Sequence, residues 1–200
     1  YELGSEAQSG IKRLVAAKLR EPELHDYVNK VAAYGHGYPG SPVLAAGELR
    51  PQDRGVFIEI QPPEARALQQ AIVSEAAVRV ETDDGFERMR AHLPPRERRG
   101  STFTDPPYEE TRRDFERVTT TLTTALQKFP TGVVAAWYPI KQERDAVAWL
   151  ADLKRQIATP LLTSELWLFP RDSRVALNGS GLVIANPPYQ LDERMHAWLP

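Results

Sequence analysis

The chain has 200 residues, 42% of them hydrophobic, with a formal net charge of -2; this suits one α/β domain with a real core and excludes a uniformly basic nucleic-acid wrapper, leaving only local patches for such contacts. It has no cysteine, which excludes disulfides, thiolate nucleophiles and cysteine zinc sites, and its four histidines (His25, His36, His92, His196) show no metal-binding spacing. No apolar run approaches the roughly 20 residues of a membrane span and no signal peptide is visible, so a soluble cytoplasmic protein is expected.

In chain order the pattern begins with helices. Ile11, Leu14, Val15 and Leu19 recur at helical spacing, and Pro22 opens a second helix with Leu24, Tyr27, Val28 and Val31 on its apolar side. Gly35, Gly37, Pro39 and Gly40 form a loop, after which Ser41 is placed as the N-cap of a short helix with Pro42 in its first turn. Strands are predicted over 55–60, 77–81, 101–104, 132–138, 161–169 and 181–185. Helices are predicted over 63–73 and 84–92, from the segment carrying Phe115, Val118, Leu122, Ala125, Leu126 and Phe129, and over 142–157. Asn178-Gly179 marks a turn between the last two strands.

Strands alternating with helices imply a mostly parallel sheet covered on both faces. Two final strands with no helix between them imply an antiparallel pair at one edge. That is the layout of class I methyltransferases, a Rossmann-like fold, in which ligands bind at the carboxyl ends of the strands. The reading is of one domain over 1–200, with a mainly helical segment (1–50) packed on a core of strands and helices (51–200).

Asp105-Pro106-Pro107-Tyr108 directly follows a middle strand. Adenine N6 is a poor nucleophile because its lone pair is delocalised into the ring. An enzyme that methylates it needs acceptors for the amine hydrogens, and Asp105 and the Pro106 carbonyl can supply them from a turn that two prolines make rigid. Tyr108 is expected to stack on a flipped or single-stranded base. The plain alternative is a strand-to-loop turn without function. A near-copy, Asn186-Pro187-Pro188-Tyr189, follows the last strand and is read as structural. Glu59, near its strand's end, suits a ribose diol. Asp84 fits either a cofactor adenine amine or a helix N-cap. The loop Tyr38-Pro39-Gly40-Ser41-Pro42 leads into a helix N-terminus that can offer donors to a carboxylate. Arg96, Arg98 and Arg99 before the motif's strand, and Arg112, Arg113 and Arg117 after the motif, are expected near the site as phosphate contacts or as solvated surface. Tyr138 either lines a substrate pocket or, as the preferred reading, belongs to the core.

Taken together, YPGSP (38–42), EIQP (59–62), DDGF (83–86), HLPPRERRG (92–100), TDPPYE (104–109), WYPI (137–140) and SGLVIANPPY (180–189) resemble the bacterial 23S ribosomal RNA adenine-N6 methyltransferases of the J type. The resemblance covers residues 34 to 200. It implies S-adenosylmethionine as cofactor and methylation of one adenine in 23S ribosomal RNA. It also implies action as a monomer, away from membranes, on protein-free or early-assembly RNA. By motif, Ser41, Glu59, Asp84 and Asp105 would hold the cofactor, with Asp105, Pro106 and Tyr108 at the catalytic centre and no metal. Gln61 stands where the family usually has histidine.

The family opens with a His-Ala-Gly-Asn segment and a first strand ending in a glycine loop that cradles the cofactor. Neither occurs in these 200 residues, and Tyr1-Glu2-Leu3 resembles the residues just downstream. The expectation is therefore an N-terminally incomplete domain, which by itself would bind cofactor poorly. Two alternatives stay open at this point: a DNA adenine-N6 methyltransferase, and a non-catalytic nucleic-acid-binding protein that keeps the fold.

Overall fold

In a computed structural model of the chain, residues 10–35, 37–72, 76–171, 173 and 175–196 are described. Tyr1-Glu2-Leu3 lies outside them. The chain divides into two compact units, residues 1–84 with 194–200, and residues 85–193.

The first unit opens with α1 (Ile11–Ala16) and α2 (Pro22–Tyr34). The helical spacing reaches to Leu19, but Ala17 turns extended and ends α1 early. Pro22 stands in the first turn of α2, where a missing N–H costs nothing, and Gly35 stops that helix at φ 75°. The helix α3 (Ser41–Gly47) corrects one expectation. Gly40 holds the cap position, without a side-chain cap bond, and Ser41 is already the first helical residue. A βαβ unit follows: β1 (Arg54–Glu59), α4 (Pro62–Ala71) and β2 (Ala77–Thr82). The two strands are parallel and in register from Arg54 opposite Ala77 to Glu59 opposite Thr82, so their carboxyl ends are level.

The second unit holds α5 (Gly85–His92), β3 (Ser101–Thr104), α6 (Thr111–Lys128), β4 (Val133–Ile140), α7 (Glu143–Gln156), β5 (Leu161–Trp167) and β6 (Gly179–Ala185). The helix α8 (Leu191–His196) crosses the division between the units. The strands lie in the order β3-β4-β6-β5. β3 and β4 are parallel, while β6 runs antiparallel to both neighbours. The antiparallel pair at the edge is as expected and the fold is that of class I methyltransferases, but the single mostly parallel sheet is corrected: β1 and β2 form a two-stranded parallel sheet of their own, and β3–β4 is the parallel pair of the four-stranded one.

The core of this unit follows from side-chain periodicity. Phe115, Val118, Leu122 and Ala125, three or four residues apart on α6, are all buried. Burial of side chains such as Val118 and Leu122 stabilises by about 1.5–3 kcal/mol each. Phe115 stacks on Trp149 of α7 with ring centroids 4.5 Å apart. The indole N–H of Trp149 donates to Thr119 Oγ1 at 2.9 Å, and that hydroxyl donates on to the Phe115 carbonyl at 2.9 Å. The polar atoms inside the α6–α7 contact are thereby satisfied.

Tyr138 is fully buried, which settles it as core. It stands level with Gly181 on β6, and Gly181 with Glu165 on β5. The tyrosine crosses above the glycine and donates its hydroxyl to Glu165 Oε1 at 3.0 Å, and Glu165 Oε2 accepts from the Trp167 indole at 3.2 Å. A Cβ on Gly181 would lie 2.2 Å from Tyr138 Cζ. The Asn178-Gly179 expectation is corrected in the same region. Gly179 pairs with Trp167 inside the ladder, and the connection between the strands runs over residues 168–178. Glycine serves there for close approach, since a Cβ would meet the Leu166 carbonyl oxygen at 2.5 Å.

No helix among the described residues is long and apolar enough to cross a membrane. Gly181→Ala should lower unfolding free energy by about 1–3 kcal/mol, because Tyr138 must leave its place over β6. Urea titration followed by tryptophan fluorescence checks this; unchanged stability would show that the ring has room to move.

Candidate active site

Thr104 is the last residue of β3 and pairs with Ala136, so Asp105 emerges at the carboxyl end of a parallel strand beside Trp137 of β4. Asp105 is solvent-accessible and Pro106 is buried. The protein around the Asp105 carboxyl nevertheless removes enough water to push its pKa above the usual carboxylate value. At the root of the turn, the Thr104 hydroxyl is buried with no hydrogen-bond partner among the described residues.

Tyr108 ends the turn in the left-handed region, at φ 52°. Such a backbone is uncommon for a bulky residue and persists only where surroundings over-determine it. Here they do. The ring is 1% exposed and lies edge-on to Phe115 at 5.3 Å and tilted against Trp137 at 5.8 Å. Its hydroxyl donates to the Trp137 carbonyl at 2.7 Å. Burial, then the charges of Asp105 and Asp114, hold the phenol well above its ordinary pKa, so it stays a donor. The expectation that this ring stacks on a base is corrected: the ring is buried in the core and its hydroxyl is engaged there. Tyr108 anchors the turn instead.

The backbone of Tyr108 is held as well. Lys141, one residue beyond β4, donates from Nζ to the Tyr108 carbonyl at 2.9 Å and to Thr111 Oγ1 at 3.0 Å. Sequence reasoning passed over Lys141 and the Trp137 carbonyl. A lysine after a strand has the look of solvated surface, and nothing in the local sequence signals contact with a residue 33 positions earlier.

The first unit carries the other expected residues. Glu59 and Asp84 stand at the level carboxyl ends of β1 and β2, with the Asp83 amide donating to the Glu59 carbonyl at 3.2 Å. The Glu59 carboxylate is held at the tip of β1 by the Gln61 amide, 2.8 Å from Oε1. A carboxylate so placed has the acceptor chemistry that a ribose diol needs, and Asp84 is a second acceptor at the same end. Ser41 lies apart from them in sequence, at the exposed start of α3.

The arginine groups separate. Arg96, Arg98 and Arg99 precede β3, at the strand end opposite Asp105, which corrects their placement near the site. Arg113 and Arg117, on the first two turns of α6, line a cleft of about 190 Å³ with Arg90, Phe86, Glu87 and Glu116. The Arg117 guanidinium carbon stands over the Phe86 ring, 4.1 Å from its centroid. Arg113 pairs with Glu110 at 3.3 Å, a solvent-exposed pair of the kind that contributes little.

Asn186 keeps the structural role expected of it. It follows β6, whose reversed direction carries it to the amino end of β4, and its Nδ2 donates to the carbonyls of Pro130 at 2.7 Å and Gly132 at 3.0 Å. Among the described residues, no three Asp, Glu or His side chains form a group able to hold a metal ion.

Comparison with known proteins identifies the family. The sequence model of the family described as Ribosomal RNA large subunit methyltransferase D, RlmJ, matches residues 2–200. Ribosomal RNA large subunit methyltransferase J of Escherichia coli strain K12 is 32% identical over 212 residues, covering 100% of this chain and 75% of that protein. The Haemophilus influenzae protein of the same name is 32% identical over 205 residues, covering 100% of this chain and 73% of its own. A crystal structure of a Legionella pneumophila protein superposes with a TM-score of 0.85 at 30% identity, over 98% of this chain and 75% of that one.

The raised pKa of Asp105 has a consequence for stability. The folded state favours the neutral acid, so the group's stabilising contribution is complete below the ordinary carboxyl value and is lost as pH rises through the raised one. Asp105→Asn should therefore melt at or above the wild-type temperature at neutral pH, and the gap should close as pH falls below the carboxylate range. Scanning calorimetry across pH checks this; a lower neutral-pH melting temperature would show the charge to be stabilised by partners.

Proposed function

The chain belongs to the RlmJ family of large-subunit ribosomal RNA methyltransferases, and on that footing we propose that Asp105 is its catalytic acceptor, serving transfer of a methyl group from S-adenosylmethionine to N6 of an adenine in 23S ribosomal RNA. The observation that carries this reading is the position of Asp105: at the carboxyl tip of β3, in a turn whose last residue is anchored to β4 by ring, hydroxyl and carbonyl.

When bound, S-adenosylmethionine supplies a methyl group on a sulfonium centre. Glu59 would accept from its ribose hydroxyls and Asp84 from its adenine amine, and Ser41 would hold the same cofactor on its motif. The orphan hydroxyl of Thr104 fits a site completed by a bound molecule.

The remaining work falls to the turn. The Asp105 carboxylate and the Pro106 carbonyl accept hydrogens of the substrate amine and aim its nitrogen lone pair out of conjugation with the ring. Because the turn is rigid, the acceptors are in place before the base arrives, and no reorganisation is needed at the moment of transfer. The carboxylate must be ionised to accept, so transfer falls as pH drops through a value higher than that of an ordinary aspartate. Tyr108 contributes by positioning.

The substrate is taken as protein-free or early-assembly ribosomal RNA, bound by a monomer in the cytoplasm. Arg113 and Arg117, presented beside the motif on α6, supply charge for its phosphates.

Two measurements test this. Asp105→Ala should reduce methyl transfer from labelled cofactor to 23S RNA by about 10²–10³-fold or more while keeping the fold; full activity would remove the assignment. Replacing Arg113 and Arg117 together by glutamine should weaken RNA binding and lower the salt slope of log K by about 1–2. An unchanged slope in filter binding would place the RNA on another surface.

A further inference from the structure

The loop between β3 and α6 lacks an ordinary helix cap. Glu110 holds the N-cap position of α6 but makes no side-chain cap bond. Tyr108 has φ 52°, and its carbonyl accepts from Thr111 Oγ1, on the first residue of α6, at 3.4 Å. The ammonium of Lys141 meets the same carbonyl more closely, at 2.9 Å, and also spans to Thr111 Oγ1 at 3.0 Å. A lysine offers three donors on a flexible stem, and two are used here to tie the end of the motif to the start of the helix. The same tyrosine is held at its other end by the Trp137 carbonyl, 2.7 Å from its hydroxyl. Both restraints come from β4 and the residue just after it.

We propose that Lys141 is a positioning residue for the reaction: its ammonium fixes the left-handed backbone of Tyr108, and so the direction in which Asp105 and the Pro106 carbonyl face the substrate amine. This rests on the reading of Asp105 as the catalytic acceptor. Lys141 acts through geometry. The raised pKa of the Asp105 carboxyl has desolvation as its cause. A turn loosened by an ångström misplaces the acceptors, which is enough to slow a well-oriented reaction about 10²-fold.

The test is Lys141→Met in the whole protein, assayed with labelled S-adenosylmethionine and a protein-free 23S RNA transcript. The expected result is a kcat lowered by about 10–100-fold, with KM for RNA and Kd for cofactor within about twofold of wild type. The acid limb of the pH profile should stay in place beneath a lower plateau. Wild-type kcat would overturn the proposal. So would a loss confined to KM, which would make Lys141 a phosphate contact. An acid limb moved to higher pH would also overturn it, because removing a cation that tuned Asp105 raises that carboxyl further. Should Lys141→Met fail to fold, Thr111→Val removes one of the ammonium's two acceptors together with the hydroxyl's own bond to the Tyr108 carbonyl, and carries the same expectations at smaller size. Asp105→Ala runs alongside: if it stays active, the underlying reading has failed, whereas an inactive Asp105→Ala beside a fully active Lys141→Met sinks the positioning role alone.

Discussion

The shape of the turn at residues 105–108 is imposed by the neighbouring strand. Two prolines stiffen its middle, but a left-handed tyrosine at its end is not a conformation that local sequence favours. It is held because β4 and the residue just after it offer three fixed points: the Trp137 ring, the Trp137 carbonyl and the ammonium of Lys141. β4 can do this because it is itself clamped. It lies between β3 and β6, and its residues from Tyr138 to Ile140 are all buried. The row Tyr138–Gly181–Glu165 ties three strands through one hydroxyl passing over a glycine. Core packing and the geometry of the proposed catalytic acid are in this sense one problem.

The two Pro-Pro-Tyr segments show how much direction in a sheet decides. Asp105 leaves a strand parallel to β4 and reaches its carboxyl end. Asn186 leaves a strand antiparallel to β4 and arrives at the amino end, where its amide closes onto Pro130 and Gly132. Tyr108 is 1% exposed and Tyr189 is 90% exposed. Asn186 takes φ 52°, which asparagine tolerates readily, while in the other motif the left-handed residue is the tyrosine itself. Near-identical strings thus have opposite environments.

The Asp105 carboxyl also illustrates a tension common to reactive acids. Shielding from water strengthens its interaction with a substrate amine, and the same shielding favours the protonated form, which cannot accept. Its raised pKa is the direct cost of its location, and it ties activity to the ionised fraction.

The sequence by itself left α8 unread but determined the order of the elements up to β6, the antiparallel pair at the sheet edge, and the position of the acid at a strand tip. Those follow from local periodicity and from strand–helix alternation, which act over a few residues. The ordered set of short motifs determined the family in the same way, since each is a contiguous string. Other features were settled only by tertiary structure. Asn178-Gly179 has the composition of a tight turn, yet the glycine is required inside a ladder by the approach of the Leu166 carbonyl. Arg96, Arg98 and Arg99 are close to the motif along the chain but lie at the other end of β3. Tyr108 has the chemistry of a base-stacking ring, and the core claims it. Lys141 has no signature at all, because its partner is 33 residues away in sequence and adjacent only once β3 and β4 have paired. Contacts of that kind depend on which strands become neighbours, and no local pattern encodes them.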